Sequence, residues 1–484
     1  MTQQKEPFRP RTAGKADIYV CGPTPYAPSH IGHARCYVIY DTLVRYLRHR
    51  GLTVSYVRNV TDVDDKIIKR ANEGEEKATD VAERYFASFL ADMDALGCLR
   101  PDVQPKVSDH IPEIVALIES LIAKGAAYEL DGDVYFAVKA FPGYGKLSGR
   151  KIEDLRAGAR VERDERKRDP VDFALWKAAK PGEPQWSSPW GPGRPGWHIE
   201  CSAMALKYLG NGFDLHGGGL DLVFPHHENE IAQSEAASGV PFCATWMHNG
   251  FIETNKAKMS KSTGDFFTIS AALKHVEPEA LRFFFHTVHY RSPLNFEWTT
   301  DDDGKTTGFP SIEDAERRLE YLYATKQRLA DIEDTRLVDG PGSADIEALR
   351  KRVEEAMADD LNTAEVLAAL ADLGKLANDL ADRAERKKGG VPKASVIAAR
   401  RLFETIGQLL GVLGDSPAAM LGRIQARRLA RSGVDRAWIE SKIEARKTAR
   451  SEKRFADADA IRDELLARDV ELKDSPQGTT WRLR

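Results

Sequence analysis

The period of the apolar positions changes along this chain, and each change marks a different architecture. Ala16-Asp17-Ile18-Tyr19-Val20-Cys21 is a short apolar run closed by Gly22-Pro23-Thr24-Pro25-Tyr26, which predicts a buried strand and the turn after it. From Ala34 onward, Val38, Ile39, Leu43, Val44 and Leu47 recur at helical spacing. The segment 54–61 (VSYVRNVT) reads as a second strand, and a long amphipathic helix starts near Thr79. Strands alternating with helices from about 16 to 110 predict half of an α/β, Rossmann-like parallel-sheet domain.

Between about 125 and 190 the texture changes. Asp131-Gly132-Asp133-Val134-Tyr135-Phe136 reads as a hairpin, followed by loops rich in Gly, Pro and Trp, so the segment is expected to be an insertion. The α/β pattern resumes with Asp214-Leu215-His216-Gly217-Gly218-Gly219 and a helix over about 226–237, and ends at Trp246-Met247-His248-Asn249-Gly250. After about 310 the strand signal disappears. Helices rich in Ala, Leu, Glu and Arg run to about 413, which fits an α-helical bundle. Charged helices near 432–451 and 455–468, then a hairpin over 470–481, predict a small α+β C-terminal domain. The expected division is 1–110 and 196–250 for the two halves of the α/β fold, with 111–195 inserted between them. A junction at 251–310, a bundle at 311–420 and a basic domain at 421–484 follow.

Two short motifs carry chemistry. His30-Ile31-Gly32-His33 follows the first strand and turn, and Gly32 there lets backbone approach a nucleotide phosphate closely. The helix behind it offers N-terminal N–H groups to an anion, at the end of a parallel sheet where ligands bind. Far along the chain, Lys258-Met259-Ser260-Lys261-Ser262 places two lysines on a small-residue loop, suited to stabilising charge on a reacting phosphate.

A third constellation is scattered. Cys21 ends the first strand, Cys201 follows Gly196-Trp197-His198-Ile199-Glu200, and Phe224-Pro225-His226-His227-Glu228-Asn229-Glu230 opens a helix. Positions i and i+4 share a helix face, which pairs His226 with Glu230; His227 with Glu230 at i+3 is the weaker alternative. Cys21, Cys201, His226 and Glu230 would give two sulfurs, one nitrogen and one oxygen, a set that suits Zn²⁺. Cys36, Cys98 and Cys243 lie in apolar stretches without nearby ligand types.

Bulk properties narrow the class. The 484 residues are 42% hydrophobic and 30% charged, room for several domains in an ordinary soluble chain. No run of 18 uncharged apolar residues occurs, which excludes a helical membrane span. The start, Met-Thr-Gln-Gln-Lys-Glu-Pro, has no apolar signal region, so a cytoplasmic protein is expected. Five scattered cysteines do not form a disulfide framework. Net charge is −4, yet residues 421–484 hold 16 Lys/Arg against 11 Asp/Glu, a net +5, leaving −9 elsewhere. A basic end on an acidic body is expected of a nucleic-acid-binding appendage.

The His and Lys motifs together resemble the signatures of class I aminoacyl-tRNA synthetases, and the chain resembles the cysteinyl-tRNA synthetase family nearly end to end. The resemblance is carried by 19–26 (YVCGPTPY), 57–68 (VRNVTDVDDKII), 196–204 (GWHIECSAM), 217–230 (GGGLDLVFPHHENE), the lysine motif, 455–465 (FADADAIRDEL) and 478–481 (GTTW). It implies one zinc per chain on Cys21, Cys201, His226 and Glu230, and a cysteine pocket lined by Thr61, Trp197 and Asp221. It implies ATP, with Mg²⁺, on Gly32, His33, Lys258, Met259, Ser260, Lys261 and Ser262, with His30, His33, Lys258 and Lys261 acting in catalysis. L-cysteine, ATP and tRNA(Cys) would be the partners of a monomer. Two rivals share parts of this pattern: an ATP-dependent ligase joining cysteine to an amino sugar, which lacks the basic end, and a non-catalytic tRNA-binding paralogue, which would lose a motif. The alternating elements, basic end and intact motifs favour the synthetase.

Overall fold

Four parallel strands form the frame on which the candidate residues sit: β1 (Lys15–Val20), β2 (Thr53–Arg58), β3 (Phe213–Gly219) and β4 (Cys243–Asn249), in the order β2-β1-β3-β4. The computed structural model describes residues 4–153, 166–254, 257–258, 267–303, 305–386, 390–475 and 478–483. Ile18, Tyr19 and Val20 are wholly buried, as a central parallel strand requires. Helix α1 (Ile31–His49) connects β1 to β2, and α2 (Trp197–Leu209) and α3 (Glu228–Ser238) belong to the second half. The chain leaves β1 toward β2 on one side, and its return as β3 pairs on the other. The strand order therefore reverses between β1 and β3, the place where α/β sheets open a crevice at their carboxyl ends.

The insertion separates β2 from α2. It comprises a helix, Ile111–Ala123, and an antiparallel sheet of Ala127–Leu130, Asp133–Phe136, Phe173–Ala178 and Gly193–Pro195 in chain order. Its Ile114, Val134, Phe136 and Trp176 share one core with Tyr19, Cys21, Cys201 and Phe213 of the parallel half. The insertion is thus anchored in the α/β fold and not appended to it.

The chain divides into two compact units. The first is Met1–Ala315 with Leu349–Leu370 and Thr405–Val412; the second is Glu316–Ala348 with Ala371–Glu404 and Leu413–Arg484. In the first, Arg282 is buried on the helix Pro278–Phe285. It donates to Asp41 of α1 and to the carbonyls of Leu96 (3.1 Å) and Leu410 (2.6 Å). The second ends in helices Pro417–Ser432, Arg436–Ser451 and Phe455–Leu466 and an antiparallel hairpin of Val470–Ser475 with Gly478–Leu483. Ile439, Leu465, Val470 and Leu483 make its small core. The expected Pro-Gln-Gly turn begins at 476–477, outside the described residues.

Three local expectations shift. Helix α1 begins at Ile31, not Ala34, so Gly32 and His33 form its first turn and His30 is the N-cap. The cause is side-chain capping: the His30 N–H donates to His33 Nδ1 at 3.2 Å. The helix expected over 226–237 is α3, Glu228–Ser238, preceded by a wide turn at Val223–His227 in which Phe224 is extended. The helix Pro417–Ser432 was not foreseen, because only Met420 and Ile424 are buried on it and its apolar period is faint. Its punctuation was present: Ser416 accepts from the Ala419 N–H at 3.3 Å, Pro417 takes the first position, and Gly433 ends it at φ 67°. The 420/421 boundary expected from charge falls inside this helix. Among the described residues no helix is long and apolar enough to cross a membrane.

Candidate active site

Every candidate side chain on the parallel sheet lies at its carboxyl edge. Cys21 directly follows β1, where its N–H donates to the Gly217 carbonyl of β3 at 3.0 Å. Its Sγ is 3.9 Å from Cys201 Sγ, 3.3 Å from His227 Nε2 and 3.7 Å from Glu230 Oε1. His226 Nε2 lies 3.1 Å from the same carboxylate oxygen, as the i, i+4 spacing anticipates. The other oxygen of Glu230 meets His216 Nε2 at 2.8 Å. All of these residues are buried.

Two ligand sets emerge. Cys21, Cys201, His226 and Glu230 bring one ligand atom each within 4.8 Å of the others, and so do Cys21, His216, His227 and Glu230. The first set fits zinc. Two thiolates about 2.3 Å from a tetrahedral ion stand roughly 3.7 Å apart, and N and O ligands near 2.0–2.1 Å stand about 3.4 Å apart; the observed separations are 3.9 and 3.1 Å. His227 is the i+3 alternative the sequence offered, and His216 was missed as a ligand type. His216 lies in a strand whose register with the cysteines only the fold supplies.

Electrostatics agree with a site built for a cation. Burial, then the hydrogen bond with Cys201, pushes the Cys21 thiol well above its ordinary value. Burial also raises the Glu230 carboxyl and holds the His226 and His227 imidazoles well below theirs. Burial without a metal therefore favours the neutral forms of the thiol, the carboxyl and these imidazoles. A divalent ion reverses that for the acids, since it binds their deprotonated forms. A shell of further imidazoles surrounds the cluster: His198 Nδ1 is 3.0 Å from His226 Nδ1, and His248 Nε2 is 2.8 Å from His227 Nδ1. Burial first lowers His198, His216 and His248 to about 3.

Of the residues expected in the cysteine pocket, Trp197 stacks on His226 with centroids 4.3 Å apart and is 37% exposed, leaving a face open. Thr61 is buried beyond β2, its N–H donating to the Pro23 carbonyl at 3.1 Å. Asp221 stands exposed on the turn Leu220–Leu222 after β3.

The histidine motif borders the same edge. His30 and His33 stack with centroids 3.8 Å apart, and a Cβ on Gly32 would lie 2.8 Å from the His30 ring. A side chain there would force the His30 ring to shift, so glycine suits the observed ring stack. Pro23, Thr24, Tyr26, His30, His33 and Tyr85 line a small cleft here. Lys258 lies on a short strand, Ala257–Lys258, antiparallel to Ile252–Thr254. Met259, Ser260, Lys261 and Ser262 fall outside the described residues. The chain beyond them meets the histidine motif: Phe267 O accepts from the Ile31 N–H at 3.1 Å, and Ser29 O from the Ile269 N–H at 2.8 Å.

Comparison with known proteins agrees along the whole length. Residues 7–303 match the family described as tRNA synthetases class I (C) catalytic domain, 352–414 a DALR domain, and 439–482 a cysteinyl-tRNA ligase anticodon binding domain. A cysteine–tRNA ligase of Anaeromyxobacter sp. (strain K) is 53% identical, covering 100% of this chain and 98% of its own. One from Nitratidesulfovibrio vulgaris (strain DSM 19637 / Miyazaki F) is 50% identical over 99% and 98%. In fold, the chain resembles Mycobacterium tuberculosis methionyl-tRNA synthetase bound by methionyl-adenylate, with TM-score 0.60, 15% identity and coverage of 84% and 93%. This chain belongs to the cysteine–tRNA ligase family of class I aminoacyl-tRNA synthetases.

Proposed function

We propose that this protein activates L-cysteine with ATP to cysteinyl-adenylate and transfers the cysteinyl group to the 3′ end of tRNA(Cys). The observation that carries this reading is the buried cluster of Cys21, Cys201, His226 and Glu230 beside the histidine motif at one sheet edge. Within it, Cys21, Cys201, His226 and Glu230 hold one zinc per chain. When bound, that ion would supply a Lewis acid suited to the substrate thiolate, for which an alcohol is a poorer partner. An apolar pocket separates side chains that differ by one small group only about 10–200-fold, whereas accuracy without editing needs roughly 10⁴–10⁵. Selection of cysteine over serine therefore falls to this donor set.

Thr61, Trp197 and Asp221 orient the amino acid so that its carboxylate faces the α-phosphate. The carboxylate oxygen attacks that phosphorus, the bond to the β-phosphate breaks, and pyrophosphate leaves with Mg²⁺. His30, His33, Lys258 and Lys261 stabilise the charge that develops, while Gly32 and the loop residues Met259, Ser260 and Ser262 seat the nucleotide. The 3′-terminal ribose hydroxyl of tRNA then attacks the carbonyl, and AMP departs. The basic segment from about 421 onward meets tRNA, the bundle at 311–420 precedes it, and the protein works as a cytoplasmic monomer.

The test is ATP–pyrophosphate exchange with each of the twenty amino acids. Cysteine alone should support exchange, and Cys201→Ser should lose zinc or cysteine affinity. Exchange by metal-free wild type at full rate, with serine still rejected, would end the zinc assignment. Removing 417–484 should leave exchange intact, abolish most aminoacylation and flatten the salt dependence of tRNA binding. Charging of tRNA at the wild-type rate by that truncation would show that 417–484 does not take part in tRNA recognition.

A further inference from the structure

We propose that Arg35 is a positioning residue for cysteinyl-adenylate formation, its guanidinium fixing the backbone that carries Lys258 to the helix headed by His30 and His33. This rests on the functional reading above, in which those three side chains act on the phosphates. Arg35 follows His33 by two positions in α1 and is wholly buried. Two residues turn a helix by about 200°, so Arg35 leaves α1 on the side away from His33.

The two terminal nitrogens serve two different segments. Nη1 donates to the Gly250 and Phe251 carbonyls at 3.1 and 2.6 Å, and Nη2 to those of Tyr290 and Ser292 at 3.3 and 2.5 Å. One planar fork thus joins stretches that are distant in sequence. Each stretch leads into a strand of one small sheet: Ile252–Thr254 follows Phe251, and Leu294–Asn295 begins one residue beyond Ser292. Those two strands pair in parallel, and Ile252–Thr254 also pairs with Ala257–Lys258, which sets Lys258 opposite Glu253. Gly250 permits the close approach, since a Cβ there would lie 2.6 Å from the Arg291 and Ser292 carbonyl oxygens. The second stretch is itself pinned: Asp360 accepts from Tyr290 Oη and from Arg291 Nε, each at 2.7 Å. Past the lysine motif the chain is tied to the start of α1 by the main-chain bonds at Phe267 and Ile269. Arg35 supplies the tie ahead of the motif.

Cost argues in the same direction. Among the described residues the side-chain hydrogen bonds of Arg35 all end on carbonyls and none on a carboxylate, and Nε has no partner. The carbonyls do not depend on it for donors. Gly250 O also accepts from Asn249 Nδ2 at 3.1 Å, Phe251 O from the Leu294 N–H at 3.0 Å, and Tyr290 O from the Gly250 N–H at 2.8 Å. A methionine would fill the space without burying a charge. A buried cation that breaks this rule is expected where position serves function.

The test measures single-turnover adenylate formation in the full chain, with ATP and cysteine affinities determined separately. Arg35→Met should slow the step about 10²-fold, the scale of a 1 Å misplacement, and leave both affinities within about threefold. Arg35→Lys, whose single nitrogen cannot hold both segments in one geometry, should fall between Met and wild type. A double-mutant cycle shows whether Arg35 acts through Lys258. Lys258→Ala should cost at least about tenfold less in the Arg35→Met protein than in wild type, because the lysine is already displaced there. Losses that simply multiply, a wild-type rate in Arg35→Met, or equal losses of rate and affinity would each overturn the proposal. If Arg35→Met does not fold, the cycle is run in Arg35→Lys, where multiplying losses overturn it equally. Amide hydrogen exchange reads the brace without activity: the folded variant should exchange at least about tenfold faster at Ile252–Thr254 and unchanged in β1. Wild-type protection at Ile252–Thr254 overturns the brace alone. Wild type without cysteine-dependent pyrophosphate exchange refutes the functional reading, and the amide rates still judge the brace.

Discussion

The two compact units use ionisable groups in opposite ways. In the first, Asp41, Glu200, Glu230, His216, His226, His227 and Arg282 are buried; burial sets the direction of the shift for Glu230 and the imidazoles, and opposite charges outweigh it for Asp41 and Arg282. In the second, the ion pairs Arg450–Asp474, Lys442–Glu464 and Arg482–Glu471 lie at the surface. A desolvated group responds strongly to one well-placed partner, such as a metal or a substrate charge. A solvated pair contributes little to stability, is screened by salt, and leaves its cation free to exchange an acid for a phosphate. Burial therefore serves selection of a small molecule, and exposure serves recognition of a polyanion.

The largest effect expected from this contrast is at Asp41. Burial opposes its charge, but Arg282 and Arg45 outweigh it and hold the carboxyl below its ordinary value. A depressed carboxylate contributes stability that is present above the unfolded pKa, near 3.9, and lost as pH falls through the folded one. Asp41→Asn, which leaves Arg282 buried without its counter-charge, should cost about 3–5 kcal/mol in denaturant unfolding at pH 7. The gap to wild type should narrow only below about pH 4. A cost under 1 kcal/mol would show that burial does not set the first unit apart.

Next is the phosphate side. Lys261→Ala should slow cysteinyl-adenylate formation at least about 10²-fold, the scale of losing one donor to a developing anion. ATP binding should change much less, and rapid-quench kinetics separate the two. Equal losses would assign the lysine to uniform binding.

A smaller effect of opposite sign is expected at Asp92, whose carboxyl burial raises to about 6. For a raised carboxyl the charged form destabilises as pH climbs from about 4 through 6. Asp92→Asn should therefore stabilise by about 1–2 kcal/mol at pH 7.5 and leave stability unchanged at pH 4. Urea titrations at the two pH values check the sign.

The smallest effect belongs to the second unit. Arg446 makes a two-pronged contact with Asp474, both distances 2.9 Å, and the carboxyl is held below its usual range by that contact first and by Thr479 next. Half of the pair faces water, so Arg446→Met should cost about 1 kcal/mol or less, and less again in 0.5 M salt. A loss comparable to that at Asp41 would erase the distinction between the units.

Much of this was legible in residue order. The strand before Cys21, the helix carrying Val38 and Leu43, and the terminal hairpin are local patterns whose apolar period survives in the fold. The helix Pro417–Ser432 escaped, because few of its side chains are buried and periodicity records burial. At the site, His226 and Glu230 were paired by helical spacing alone. His216 and His248 carry no such spacing, and they enter through the register of parallel strands, which is not written in any one segment.

By itself, then, the sequence determined the elements and the uneven charge and located the two motifs, while family resemblance supplied the zinc set as an expectation. Elements and motifs depend on neighbours in sequence, whose relations a helix or strand period fixes. Only the tertiary structure decided that Cys21 and Cys201, 180 positions apart, stand 3.9 Å from each other. It also decided that Glu230 is shared between two histidine sets. Those contacts arise because the reversal of strand order between β1 and β3 brings two distant halves of the chain to one edge, where burial removes water and makes each remaining partner count.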